Sequence, residues 1–108
     1  MNVSECFWFS VKCIFRHVQL ENDDTALYEE RIILVNSQTD QLALQIAEQE
    51  AKHYANDAGC EYLDFAFCFQ LYDEKVIHLS EVSSVMRESL LPPDDYLKTF
   101  YSVEQRML

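Results

Sequence analysis

Glu61-Tyr62-Leu63-Asp64-Phe65-Ala66-Phe67-Cys68-Phe69-Gln70-Leu71-Tyr72 carries a large apolar residue at each odd position from Leu63 to Leu71. Its even positions, Tyr62, Asp64, Ala66, Cys68, Gln70 and Tyr72, are mixed. Successive side chains on a strand point to opposite faces. The stretch therefore reads as a long strand with one apolar and one semi-polar face. We take it as the central strand of a sheet, with the rest of the chain arranged to cover its phenylalanine row.

Working outward, Phe7 to His17 alternates cleanly: Phe7, Phe9, Val11, Cys13 and Phe15 form one face, Trp8, Ser10, Lys12, Ile14 and Arg16 the other. This is a strand with a buried side and an amphipathic outer side. Glu21 to Thr25 is a polar loop of turn formers. Tyr28 to Val35 supplies a second strand, an antiparallel partner of the first. A helix follows, with Ser37 or Thr39 as N-cap, Asp40 at the positive end of the dipole and Gly59, the chain's single glycine, as its end. Ala43, Ala47, Ala51, Tyr54 and Ala58 form its inner stripe, flanked by Leu44 and Ala55. Small residues let the helix approach the sheet closely and complement bulky Phe65, Phe67 and Phe69. Leu42 and Ile46 fall off this stripe, at the helix margin or in an exposed patch.

After a turn at Asp73 to Lys75, Val76 to Leu79 and Glu81 to Arg87 read as a fourth strand, interrupted near Ser80. Pro92 and Pro93 with Asp94 and Asp95 open a short C-terminal helix with Leu97, Phe100 and Tyr101 on its apolar side. The expected fold is α+β: about four antiparallel strands in β-β-α-β-β-α order, with the long helix on one face. We expect one domain over residues 1–108.

Composition narrows the function. Hydrophobic residues make up 49% of the chain and aromatic residues 13%, enough for a packed core. Nineteen acidic against eight basic residues leave a net charge of −11. That field disfavours phosphate backbones and anionic membranes, so no nucleic-acid or membrane partner is expected. It steers basic proteins toward the chain. Cys6, Cys13, Cys60 and Cys68 include no CxxC pair, Met1 to Glu5 has no basic start, and no segment reaches the length of a membrane span. A reduced, cytoplasmic setting is expected.

Several clusters together resemble the domain of unknown function 4288 family. They are Trp8 to Cys13, Tyr28 to Ile32, the acid-rich helix with its alanines, Tyr62 to Phe65, Glu81-Val82 with Met86 to Ser89, and Pro93 to Leu97. The resemblance covers most of the chain. It implies a stand-alone, single-domain bacterial protein and brings no activity, cofactor or catalytic residue with it.

The main candidate site is the outer sheet face. Trp8, Ser10, Lys12 and Arg16 would share it with Tyr62, Asp64, Gln70 and Tyr72, an aromatic and polar mixture typical of binding surfaces. The plain alternative is a half-exposed sheet face making ordinary cross-strand pairs. Glu29 and Glu30 point to opposite faces and cannot converge as an acid–base pair; one of them is expected to pair with Lys12 or Arg16. Cys13 and His17 share a face, but Cys13 sits in an apolar row that leaves a thiol inert. No set of four converging zinc ligands is visible, and a single glycine leaves no phosphate-cradling loop.

These readings point away from an enzyme and from any cofactor. They favour an acidic protein-interaction module, for example an immunity-type or inhibitor protein whose carboxylates occupy a basic partner's phosphate sites. The alternative is a self-associating structural protein, a homodimer using Leu42, Ile46 or the sheet face.

Overall fold

The structure, a computed structural model, describes residues 5–17, 27–84 and 86–101; the loop expected at Glu21 to Thr25 lies outside them. It is an α+β arrangement of a three-stranded antiparallel sheet and two helices. Strand β1 (Phe7–His17) and strand β2 (Leu27–Ser37) pair antiparallel along their whole length, Phe7 opposite Ser37 and His17 opposite Leu27. Helix α1 (Asp40–Ala58) then crosses the sheet to strand β3 (Glu61–Gln70), and helix α2 (Pro93–Phe100) lies near the end of the described chain.

The sheet order is β2-β1-β3, which corrects the expectation that the Glu61 stretch is central: it is an edge, and β1 holds the centre. Both outer strands are antiparallel to β1 and hence parallel to each other. Parallel strands need a crossover connection, and α1 supplies it, passing over β1.

Local chemistry sets the ends of α1. The Thr39 side chain accepts from the Leu42 N–H at 3.1 Å, so Thr39 rather than Ser37 is the cap. Gly59 ends the helix with φ 70°, its N–H donating to the Ala55 carbonyl. Ala43, Ala47, Ala51 and Ala55 are buried, and Ala58 is exposed. The stripe therefore turns toward Ala55, with Tyr54 and Leu44 packed beside it.

Under those alanines lie Phe9, Val11, Cys13, Phe15 and Val35, the expected inner face of β1 without Phe7, which is exposed at the strand's start, and with one residue of β2. The pairing Val11↔Cys68 and Cys13↔Ala66 fixes which face of β3 joins them. Tyr62, Ala66 and Cys68 go under the helix, and Phe65 and Phe67 point away from it. The expectation that α1 covers the phenylalanine row is thus reversed. Volume explains the choice. Phe9 and Phe15 already fill the space beneath α1, so β3 contributes small residues there.

Register breaks once. Between Cys13↔Ala66 and Phe15↔Tyr62, Ile14 alone on β1 faces Leu63, Asp64 and Phe65 on β3. Asp64 takes φ 57° and stands exposed at this bulge. Without the bulge its alternation would carry a carboxylate under the helix, where burial of a charge is costly.

The expected fourth strand is absent among the described residues. The Ile77 N–H donates to Ser80 Oγ at 2.8 Å and the Ser80 N–H to the Ile77 carbonyl at 3.1 Å, closing a turn at His78–Leu79 with Leu79 at φ 71°. Serine offers the backbone a local partner in place of a ladder. The order is therefore β-β-α-β-α.

Candidate functional site

The face of the sheet away from α1 is the chain's most unusual surface. β2 contributes Ile32 and Leu34, 47% and 41% exposed; β3 contributes Phe65 and Phe67, 53% and 41% exposed. Between them β1 places Trp8, Lys12, Ile14 and Arg16, with Lys12 opposite both Ile32 and Phe67. Six large apolar side chains, with Trp8 and Ile14 of β1 included, thus share a regular sheet face with no layer above them among the described residues. Contiguous apolar exposure of this kind makes the face a candidate site.

Its charges are neutralised in place. Lys12 Nζ lies 3.1 Å from Glu30 Oε1, the cross-strand pairing expected from the sequence, and Arg16 lies 3.0 Å from Glu61 Oε1. Lys12, Ile14, Glu30, Leu63 and Phe65 line a shallow depression of about 440 Å³ opened by the bulge. One ion pair over an apolar floor supplies grip but no nucleophile and no pair of converging acids.

The sequence-selected residues divide among three places. Trp8, Lys12 and Arg16 lie on the helix-free face. Tyr62 lies on the other side, its ring 5.6 Å from that of Phe15 and its hydroxyl donating to Glu48 Oε2 at 2.9 Å. Asp64 stands at the bulge, and Tyr72 lies beyond the strand end, its ring 6.5 Å from Phe69. The six do not form one patch. Leu42 and Ile46 are exposed on the outer side of α1, far from the stripe that meets the sheet. What sequence reasoning passed over is Ile32, Leu34, Phe65 and Phe67. The signal was there: Ile32-Ile33-Leu34-Val35 is apolar at four successive positions, so both faces of β2 are.

A second cluster closes the opposite end of the helix–sheet interface. His17 Nε2 lies 2.8 Å from Glu29 Oε1, and the Tyr54 hydroxyl donates to the same carboxylate. Arg31 lies 4.1 Å over the Tyr54 ring and bonds Glu50 at 3.0 Å. Burial pushes the Glu29 carboxyl up, but the hydrogen bonds from His17 and Tyr54, with the charges of His17 and Arg31, hold it below its ordinary range. His17 is thereby taken by Glu29 and not by Cys13. Burial pushes the Cys13 thiol up, the neighbouring Tyr62 hydroxyl offsetting part of it, which leaves a structural cysteine. Among the described residues no group of three or more His, Cys, Asp or Glu side chains could hold a metal ion. No helix among them is long and apolar enough to cross a membrane.

Comparison with known proteins adds a family and no activity. No curated protein and no solved structure matches the chain. The family described as Domain of unknown function (DUF4288) matches residues 8–89, from β1 through the segment that follows β3. With well over half of its length matched, the chain belongs to the DUF4288 family.

Proposed function

We propose that this chain is a non-enzymatic protein-interaction module that works through the helix-free face of its sheet. One observation carries the reading: Ile32, Leu34, Phe65 and Phe67 are half-exposed on a rigid sheet whose cations are already paired with Glu30 and Glu61. A flat apolar centre with a neutralised rim is the composition of a protein-binding patch. The four free cysteines, Cys6, Cys13, Cys60 and Cys68, support a reducing, cytoplasmic setting. The test is affinity capture from the native host with the full chain and with Phe67→Glu. Retention of a partner by the first and not by the second supports the reading; equal retention by both removes it.

An immunity-type or inhibitor role toward a basic protein draws its support from the net charge of −11. Asp40 and Asp57 on α1, and Asp73, Glu74, Glu81, Glu88, Asp94 and Asp95 after β3, are all exposed. These carboxylates lie off the apolar face, so a basic partner would contact a different surface. Capture repeated at high salt separates the two: a partner held by carboxylates is released, and one held by the apolar face stays.

A further inference from the structure

The segment after β3 is as lacking in cover as the sheet face. Leu71 is its root, buried and donating its N–H to the Trp8 carbonyl at 2.9 Å. From Tyr72 to Tyr101 no described side chain is buried, though Val76, Ile77, Leu79, Val82, Met86 and Leu90 recur along it, Met86 94% and Leu79 88% exposed. Helix α2 makes no contact with α1 or with any strand. Yet the arm has a built tip. The Arg87 guanidinium lies 4.9 Å over the Phe100 ring and donates to the Tyr96 and Tyr101 hydroxyls at 3.3 and 3.4 Å. Tyr96 and Phe100 stack with centroids 4.7 Å apart. An arm with an organised aromatic tip and an apolar stem is a docking element in search of a surface.

Resting on the interaction-face reading, we infer that the occupant of the helix-free face is the arm of a second copy of this chain, exchanged reciprocally in a two-fold dimer. Three observations converge. First, area: the apolar side chains of the arm named above and Ile32, Leu34, Phe65 and Phe67 of the face are each at least 40% exposed. Two reciprocal arm–face contacts would bury both sets twice over, on the scale of a standard interface of about 800 Å² per partner. Second, charge: the arm bears six carboxylates against Lys75, Arg87 and Lys98. A surface of uncompensated carboxylates would repel it. The helix-free face, with Lys12 and Arg16 balancing Glu30 and Glu61, does not. Third, connectivity: the arm is pinned at Leu71 and projects from its own body, so exchange needs no refolding of either partner.

The experiment uses full-length chains and mass in solution, by light scattering or sedimentation at micromolar concentration. The wild type is expected at twice 12.7 kDa. Phe67→Glu disables the face and Ile77→Glu/Leu90→Glu disables the arm; each alone is expected to run as a monomer with an unchanged circular dichroism spectrum. Mixed in equal amounts they should form a heterodimer, because one intact arm then meets one intact face. Ile32→Glu replaces Phe67→Glu if the latter does not fold. A dimer that survives the arm substitutions overturns exchange in favour of face-to-face contact. A monomeric wild type also overturns the inference. In that event the melting temperature of Phe67→Glu separates the two claims. If it is unchanged, the face is open to a foreign partner and the interaction reading stands. If it falls sharply, the chain's own arm covers the face and both readings fail.

Discussion

The Tyr54 hydroxyl lies 2.8 and 2.9 Å from the two carboxylate oxygens of Glu29 and donates to that carboxylate, tying α1 to the edge strand β2. His17 on β1 reaches the same oxygen at 2.8 Å, so one carboxylate joins two strands and the helix. Because the Tyr54 ring also meets Phe15 edge-on at 4.9 Å, the polar clasp rests directly on the core.

This clasp predicts an acid dependence. Glu29 is held below its ordinary value of 4.5, so the stability it contributes is present above that pH and is lost as pH falls through the lower folded value. Tyr54→Phe removes one charge-assisted hydrogen bond, at a cost of about 1–2 kcal/mol in a part-exposed site. Urea midpoints should differ between wild type and Tyr54→Phe at neutral pH and converge in acid. A gap that stays constant down to the lowest pH would count against Glu29 as its source.

Alkali should act with the opposite sign. Burial, then the hydrogen bond to Glu48, pushes Tyr62 far above its ordinary 10.0, and the hydrogen bond to Glu29, with burial, raises Tyr54. Groups with raised folded values contribute stability that is intact below the ordinary value and is lost as pH rises past it. Cys13, Cys60 and Cys68, raised by burial from 9.0, add the same trend slightly earlier. Stability is expected to decline from about pH 9 upward, and Tyr62→Phe to decline less steeply above pH 10. Equal slopes for the two proteins would show that Tyr62 does not ionise with unfolding.

Packing under α1 makes a third test. Ala47 and Phe15 are both fully buried. Ala47→Leu forces extra volume between helix and sheet and should cost about 1–3 kcal/mol; Phe15→Ala leaves a cavity and should cost about 3–5 kcal/mol. Thermal or denaturant unfolding measures both. A neutral Ala47→Leu would mean that α1 does not sit on β1 through its alanines.

At the bulge, Asp64 occupies the left-handed region at φ 57° without being glycine. Asp64→Gly removes that strain and should leave stability within about 0.5 kcal/mol or raise it, since glycine's flexibility offsets part of the gain. A β-branched Asp64→Val should cost about 1–2 kcal/mol. Identical stabilities for the two variants would place Asp64 in an ordinary extended conformation.

Leu42→Glu addresses the outer side of α1. Leu42 is exposed there, so the change should stay within about 0.5 kcal/mol of wild type and leave the mass in solution unaltered. Dissociation of a dimer by this variant would move the contact from the sheet to the helix.

How far the sequence could be read differs sharply between strands. For β1, strict alternation named Phe7, Phe9, Val11, Cys13 and Phe15 as the inner face, and all but Phe7, at the start of the strand, are buried. The Thr39 cap and the Gly59 stop were legible because capping is local. For β3 the same rule found the two faces, and the choice of the phenylalanine row as the covered one was the wrong one. The phenylalanine row looked like core because apolar burial is the commoner fate of phenylalanine. The Glu81 stretch read as a strand because alternation reports a side-chain pattern and does not report whether a neighbouring edge is at hand.

The amino-acid sequence by itself determined the strand at Phe7 to His17, the span of α1, its alanine stripe and the acidity. Each of these rests on periodicity or on residue chemistry within a few positions. Tertiary structure alone decided that β1 is central, that Ala66 and Cys68 go inward and Phe65 and Phe67 outward, and that Asp64 leaves the ladder. Those outcomes depend on inter-strand register, where a shift of one residue exchanges the two faces. They depend equally on the limited volume beneath α1, which Phe9 and Phe15 had already filled.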